Sequence, residues 1–311
     1  MPALTTGRSI EGGTVFSQEP FLHAVARAEG GAGLHVLRLR SSKSGACIFG
    51  LERIRRLNRR SVSLAPFGLP ACPMRYNPSD GCIPDFVGQL KVIKTVSFEW
   101  NVRFDHIDLA TELTDLGLSR TEDFTNVLYL DRPYEVMFRG FSETTRNQIR
   151  RAGRDGVSVH RAVAASDVAT YYALYRKVIE ERGKWNAVYS KSLFNELFKL
   201  EHQVIFLAAY FNDKVIGGAW LIRDGNSLLY WQSAMNYEFK RYFPHYAIID
   251  HAINYAFSEG FNSFNFGASA GISSLEQFKS FWGTRKVPYW TFFWQNPLWS
   301  SLYRIRESIT W

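Results

Sequence analysis

The chain has 311 residues, 46% of them hydrophobic and 21% charged, which is the composition of a folded globular protein and excludes disordered, collagen-like and coiled-coil chains. The length accommodates two domains, each able to bury its own core. The net charge of +8 suggests an anionic partner, although a solvated basic surface is the commoner explanation of a modest excess.

The positive charge is concentrated in two short segments. The net charge is +6 over residues 1–60, −5 over residues 61–135 and +4 over residues 136–161. Most basic residues of the positive segments are arginines, whose planar guanidinium groups suit phosphate oxygens. We expect phosphate-bearing substrates there, with solvated basic faces as the alternative. The two clusters are Arg53, Arg55, Arg56, Arg59 and Arg60, and Arg146, Arg150, Arg151 and Arg154.

Targeting and redox signals are negative. Arg8 and Glu11 interrupt the N-terminus, so no secretory signal is expected, and no uncharged run is long and apolar enough to span a membrane. The three cysteines lack the paired spacing of a metal site. We expect a cytoplasmic protein without a metal, and the aromatic segment 289–311 allows peripheral contact with the inner membrane surface.

The first half of the chain predicts a mixed α/β domain. Apolar residues at helical or alternating spacing are separated by proline- and glycine-rich turns. In chain order, we predict a helix at 16–28, strands at 34–39, 46–54 and 62–64, a surface loop at 66–73, a helix at 86–93, and strands at 95–104 and 123–130.

A well-defined helix start follows. Ser142 suits the N-cap position, and Glu143 favours the positive end of the helix dipole. A strand is predicted at 157–161. We place the domain junction at this helix, which predicts an N-terminal domain at 1–140 and a C-terminal domain at 141–311.

The second half has a clearer periodicity. In chain order, we predict helices at 167–183 and 190–200, strands at 204–211, 215–223 and 227–233, a helix at 244–260, a strand at 261–266, a helix at 275–282, a strand at 287–294 and a closing helix at 298–309. Two helices and three strands, followed by alternating helices and strands, are the order of the acetyltransferase (GNAT) fold. Element order alone is a weak indication of chemistry, because one fold hosts many functions.

Two segments make a family resemblance specific. The first, FSETTRNQIRRA at 141–152 with GV at 156–157, resembles the S-x-x-T-R-x-x-I-R-x-A-x-x-x-G-V junction helix of FemABX-like transferases. The second contains FPHY at 243–246, FNFGAS at 264–269 and FKSFWG at 278–283, and it resembles the tail of the same family.

This resemblance implies a fold and an activity. FemABX-like transferases consist of two tandem GNAT-like domains with mixed α/β sheets, and their best-described members move an amino acid from aminoacyl-tRNA to an amine of a cell-wall precursor. By resemblance, we expect an aminoacyl or acyl transferase that forms an amide bond. Its donor is then aminoacyl-tRNA, without a cofactor, and its acceptor is an envelope or natural-product amine carrying a nucleotide- or lipid-linked phosphate.

The resemblance also implies the catalytic residues. By match to the family's tail, Phe278 and Lys279 fall in the catalytic cavity. Attack of an amine on an ester develops negative charge on the carbonyl oxygen and on the leaving hydroxyl, and a fixed ammonium stabilises both. The alternative for Lys279 is a solvated helix residue. The alternative for Phe278 is a core position, since an aromatic residue at helical spacing usually faces inward.

The absence of a glycine before a predicted helix bears on the identity of the acyl donor. Coenzyme A-dependent GNAT enzymes hold the pyrophosphate with backbone N–H groups of a glycine-rich turn at a helix start. The corresponding stretch, 238–246, has no glycine, and Pro244 removes a backbone donor. Acyl-coenzyme A is therefore less favoured, while Lys240 and Arg241 offer phosphate contacts of another kind.

Other candidates rest on position alone. Arg146, Arg150 and Arg154 recur every four residues on one helix face, which predicts a phosphate-binding stripe or a solvated basic face. Asp108 and Trp185 are predicted where a cleft between the domains collects side chains. The histidines show neither metal spacing nor a Ser-His-Asp set. Two of them are expected at the surface or boundary of a helix, His245 and His251.

Two other functions stay open. One is a coenzyme A- or carrier-protein-dependent N-acyltransferase that acts on an amino sugar in polysaccharide assembly. The other is a non-catalytic RNA- or envelope-binding protein on a transferase fold, which the arginine clusters alone support.

Overall fold

A computed structural model describes residues 19–29, 33–55, 59–64, 80–92, 94–103, 106–181, 183 and 189–299. These residues fall into two compact units, the first with residues up to 123 and from 288 onward, and the second with residues 124–287. The compact units divide at 123/124 and again at 287/288, and the domains expected at 1–140 and 141–311 stay a prediction. The predicted loop at 66–73 and most of the predicted closing helix lie outside the described residues.

The elements follow in chain order, and most predicted elements are present with ends shifted by a few residues. They are α1 (Glu19–Glu29), β1 (Leu34–Arg40), β2 (Cys47–Arg55), β3 (Arg59–Leu64), α2 (Cys82–Leu90), β4 (Thr95–Val102), α3 (Ile107–Asp115), β5 (Ser119–Tyr129), α4 (Tyr134–Gly140), α5 (Glu143–Arg154), β6 (Ser158–Arg161), α6 (Ala165–Glu181), α7 (Lys191–Phe198), β7 (Val204–Phe211), β8 (Lys214–Asp224), β9 (Ser227–Met235), a 3₁₀ helix (Tyr237–Tyr242), α8 (Pro244–Ser258), β10 (Ser263–Ala268), α9 (Ser273–Ser280) and β11 (Arg285–Gln295).

The first unit contains a mixed sheet covered by short amphipathic helices. Strands β1, β2 and β3 pair antiparallel in sequence, β3 pairs parallel with β4, and β4 pairs antiparallel with the end of β11. Helix α1 buries Phe21, Leu22 and Val25 at helical spacing. Helix α3, which buries Leu109, Ala110 and Leu113, was not predicted.

The second unit contains a sheet in the order β5-β10-β9-β8-β7-β6. The β9–β10 pair is parallel and the other pairs are antiparallel. Side chains alternate between its two faces. Leu207 and Leu221 face a core shared with α8, whereas Phe206 and Trp220 stack beneath α6 at a centroid distance of 4.6 Å. Both faces of this sheet are therefore covered.

Helix α5 begins as predicted. The Ser142 hydroxyl accepts a hydrogen bond from the Thr145 amide at 3.1 Å, which confirms Ser142 as the N-cap. The Ser142 amide in turn donates to the Phe281 carbonyl at 2.8 Å, so the start of α5 is attached to the end of α9. Within the described ranges, no helix is both long and apolar enough to cross a membrane.

Candidate active site

The neighbouring strands β9 and β10 separate toward their carboxyl ends. They pair only where Ser263–Asn265 lies beside Ser227–Leu229, although β9 continues to Met235 and β10 to Ala268. Two irregularities lie near this separation. Strand β9 has an extra residue, Trp231, opposite β8, and the register of β10 against β5 shifts after Asn265. The carboxyl ends of adjacent parallel strands that part in this way form a common place for ligand binding in α/β folds.

Lys279 belongs to α9, and its ammonium lies at the carboxyl end of β10. Its side chain is only 4% exposed, and Nζ donates hydrogen bonds to the carbonyls of Gly267 at 2.7 Å and Ala268 at 2.8 Å. The alternative of a solvated helix residue is therefore wrong. A buried ammonium is costly unless it is hydrogen-bonded, and these two carbonyls supply two such hydrogen bonds. The arrangement holds a donor group rigidly at the strand end.

A polar network fixes the carbonyls that bind Lys279. The Asn265 Oδ1 accepts hydrogen bonds from the Gly267 amide at 2.8 Å and from the Thr125 hydroxyl at 2.6 Å. Gly267 has a φ of 73°, a conformation that favours glycine. On the other side, the Thr284 hydroxyl donates to the Lys279 carbonyl at 3.0 Å. Both the lysine backbone and its partners are thus held by polar side chains, of which Thr125 is buried and Asn265 and Thr284 are partly buried.

Aromatic packing joins Lys279 to the start of α8. The Phe278 ring lies edge-on to Tyr246 at a centroid distance of 5.6 Å, and Tyr246 stacks on the buried Trp282 at 5.8 Å. Phe278 is half-buried against the core, as its alternative interpretation expected. Because Tyr246 belongs to the first turn of α8, the ends of β9 and β10, the start of α8 and α9 converge on one place.

A serine–histidine pair lies at the same end of the sheet. The Ser233 Oγ on β9 is 3.0 Å from the Nε2 of His245 on the first turn of α8, and both residues are half-buried. We expected His245 at a helix surface or boundary, and the sequence showed no Ser-His-Asp set. The signal was present, because a strand end and the following helix start are predicted at these positions, but spacing alone does not show that the two side chains face each other.

The serine that follows the Lys279 carbonyl ligands is also buried. Ser269 is 7% exposed, and its Oγ has no hydrogen-bond partner among the residues that the structure describes. A buried hydroxyl without a partner costs roughly 1–3 kcal/mol.

The arginine stripe of α5 is only partly free. The Arg146 guanidinium donates to the carbonyls of Arg139, at 2.9 Å, and Phe141, so it holds the turn between α4 and α5. Arg150 is exposed with its guanidinium 5.4 Å from the Phe138 ring centroid, and Arg154 is exposed. The shared helix face therefore presents two arginines to solvent, and Arg146 is occupied by the fold.

The turn before α8 differs from a phosphate-binding cradle. Phe243 adopts a left-handed conformation, and its carbonyl already accepts the amides of Tyr246 and Ala247. Lys240 and Arg241 are exposed on the preceding 3₁₀ helix, and the Arg241 guanidinium donates to the Tyr242 hydroxyl at 2.7 Å. Backbone donors are scarce here, and any phosphate contact would come from these side chains.

The structure describes one of the two remaining predicted site residues. Asp108 is exposed in the first turn of α3, in the first unit. Trp185 lies outside the described residues. In the part of the chain that the structure describes, no group of histidine, cysteine, aspartate and glutamate side chains is arranged to hold a metal ion.

Comparisons with known proteins bear on the domain type and the fold. Residues 139–280 match the model of the acetyltransferase (GNAT) domain, and no curated protein matches the chain. The solved structure of FemX superposes with a TM-score of 0.74 at 14% identity, covering 93% of this chain and 94% of FemX. The chain has a FemABX-like fold.

Other solved structures share this FemABX-like fold. L-PGS from Bacillus licheniformis has a TM-score of 0.56 at 14% identity, over 94% of this chain and 97% of its own. A tandem GNAT protein from the clavulanic acid biosynthesis pathway has a TM-score of 0.50 at 8% identity, over 89% and 87% of the two chains. These likenesses confirm the predicted mixed α/β class with two tandem GNAT-like domains. They concern the fold and leave the substrate open.

Proposed function

We propose that this protein is an acyltransferase that moves an aminoacyl group from aminoacyl-tRNA to an amine acceptor. The observation that carries the proposal is the buried Lys279, whose ammonium is fixed by two carbonyls where β9 and β10 separate. The match of residues 139–280 to an acetyltransferase domain and the likeness to FemX support acyl transfer in general. The aminoacyl donor is the finer part of the proposal.

The chemistry follows from a fixed cation. When an amine attacks the ester carbonyl, negative charge grows on the carbonyl oxygen and then on the leaving oxygen, and the Lys279 ammonium stabilises both. Because the ammonium is already positioned, little reorganisation is required at the moment of reaction. Direct attack within a complex of both substrates then needs no covalent intermediate on the protein.

Features of the α8 start favour tRNA over coenzyme A. A turn without glycine, with Pro244 at its helix start and the Phe243 carbonyl engaged internally, offers few amides to a pyrophosphate. Exposed Lys240, Arg241, Arg150 and Arg154 provide side-chain contacts for the phosphates of tRNA or of a nucleotide- or lipid-linked acceptor. A lipid-linked acceptor would bring the protein to the inner membrane surface as a peripheral protein.

The test is transfer activity with and without the charge of Lys279. Lys279→Met keeps most of the side-chain length and removes the ammonium, and we expect it to lower the transfer rate from charged tRNA by about 10²–10³-fold. Lys191→Met, at an exposed lysine on α7, is the matched control and retains the wild-type rate. A folded Lys279→Met protein with full transfer activity would contradict the role assigned to this lysine.

A coenzyme A-dependent activity is the second candidate, because the matched domain is described as an acetyltransferase. Calorimetry with acetyl-coenzyme A separates the two donors. Tight, saturable binding supports an N-acyltransferase that acts on an amino sugar, and no binding supports the tRNA donor. A non-catalytic RNA- or envelope-binding protein would be inert with charged tRNA, coenzyme A thioesters and all candidate amines.

A further inference from the structure

A pair of proton-transferring side chains stands beside the candidate site. Ser233 lies on β9, four positions beyond Leu229, the last residue of β9 that pairs with β10. Its Oγ is 3.0 Å from the Nε2 of His245. Hydrogen-bonded hydroxyl and imidazole groups at this distance can exchange a proton directly.

One ring contact and one strand pairing locate this pair relative to Lys279. Tyr246 directly follows His245, and its ring touches the ring of Phe278, which directly precedes Lys279. In addition, β9 carries Ser233 and β10 carries the carbonyls that bind Lys279, and these neighbouring parallel strands end at the same edge of the sheet. The Ser233–His245 pair and the Lys279 ammonium therefore lie at the same end of the sheet of the second unit.

Amide formation needs a group of this kind. The attacking amine must lose a proton as the N–C bond forms, and a protonated lysine offers only donors. Lys279 spends two of these donors on the Gly267 and Ala268 carbonyls. Histidine is the side chain whose neutral form accepts a proton near physiological pH.

We propose that Ser233 and His245 form a relay that accepts the proton of the attacking amine, an inference that rests on the acyl-transfer function proposed above. The amine nitrogen forms the bond to the carbonyl carbon, and the bond from that carbon to the ester oxygen breaks. The amine proton passes to Ser233 Oγ while the Ser233 proton passes to His245 Nε2. His245, which is half-buried, releases the proton to water, and the leaving oxygen takes a proton from water.

Three variants test the relay with charged tRNA and an amine acceptor accepted by the wild type. His245→Gln keeps a hydrogen-bonding group near Ser233 but accepts no proton, and we expect kcat to fall by about 10²-fold or more with KM unchanged. Ser233→Ala lowers kcat by about 10-fold or more. His245→Ala loses activity that added imidazole restores in part, because free imidazole fills the space and accepts the proton. Exposed residues of the same types give matched controls that retain full activity, His202→Ala and Ser258→Ala.

The outcomes separate this inference from the function on which it rests. Wild-type transfer with unchanged rates in His245→Gln and Ser233→Ala overturns the relay and leaves the transferase intact. Loss of activity in every variant without recovery in imidazole indicates a structural role and also overturns it. A wild-type protein that transfers nothing overturns the proposed function and the relay together. His245→Gln keeps the test valid if His245→Ala does not fold.

Discussion

Replacing Asn265 is expected to loosen the support of Lys279. The Asn265 Oδ1 accepts two hydrogen bonds, from Thr125 at 2.6 Å and from the Gly267 amide at 2.8 Å. At about 0.5–1.5 kcal/mol for each bond, Asn265→Ala should lower the free energy of unfolding by about 1–3 kcal/mol. The Gly267 and Ala268 carbonyls then lose their anchor, and a displacement of about 1 Å at Lys279 costs about 10²-fold in rate.

A double-mutant cycle measures this network directly. Thr125→Val keeps the shape of the 5%-exposed Thr125 side chain and removes its hydroxyl, so it should cost about 1 kcal/mol. Urea unfolding of both single variants and the double variant should give a coupling energy of about 0.5–1 kcal/mol. Asn254→Ala, at an exposed asparagine of α8, is the control.

Transfer kinetics decide whether the network has a functional role. Asn265→Ala is expected to lose transfer rate by more than its loss of folded protein explains, and Thr125→Val less so because one anchor of Gly267 remains. An Asn265→Ala protein that is destabilised yet transfers within twofold of the wild type would refute the positioning role of this network.

The remaining predictions concern stability. A Cβ on Gly218 would lie 2.7 Å from the Phe206 ring and 2.9 Å from the Leu207 carbonyl oxygen, so Gly218→Ala should lower the unfolding free energy by about 1–3 kcal/mol. Gly153 lies in the last turn of α5 with open space around it, so Gly153→Ala should raise the unfolding free energy by about 0.5–1 kcal/mol. Equal changes for the two variants in denaturant titrations would contradict the packing argument. Burial raises the pKa of Asp250 above its ordinary 3.8, and the hydrogen bond from the Tyr134 hydroxyl acts against this rise. Because the folded state then holds the proton more tightly than the unfolded state, the stability of the wild type relative to Asp250→Asn should fall as the pH rises from about 4 through the folded-state pKa. A stability difference that does not change with pH would contradict this prediction. Arg146→Ala should lower the melting temperature because the carbonyls of Arg139 and Phe141 lose their hydrogen-bond donor. Arg154 is exposed, so Arg154→Ala should leave the melting temperature unchanged. Thermal melts of the two variants distinguish a structural arginine from a solvated one.

Local signals in the sequence were sufficient for most elements. Ser142 was recognisable as an N-cap from its hydroxyl and the following Glu143, and the strands at 204–211 and 227–233 from their continuous apolar runs. Helix α4 and the 3₁₀ helix were missed, because each is a short segment that includes aromatic and charged residues, and they bury one residue and none, respectively. Short elements of this kind have too few residues to show a period.

The sequence by itself determined the fold class and pointed to Lys279, because the FKSFWG and FNFGAS motifs are local and resemble a known family. Only the tertiary structure decided which groups that lysine of α9 binds in the folded chain, since they are carbonyls at the end of β10, twelve and eleven residues away. The same holds for Arg146, for which local spacing left a phosphate-binding stripe and a solvated basic face open, and whose guanidinium binds two carbonyls in the fold. Hydrogen-bond partners that are distant in sequence, such as Thr125 and Asn265 or Ser233 and His245, are set by strand register and bulges, and no local pattern encodes them.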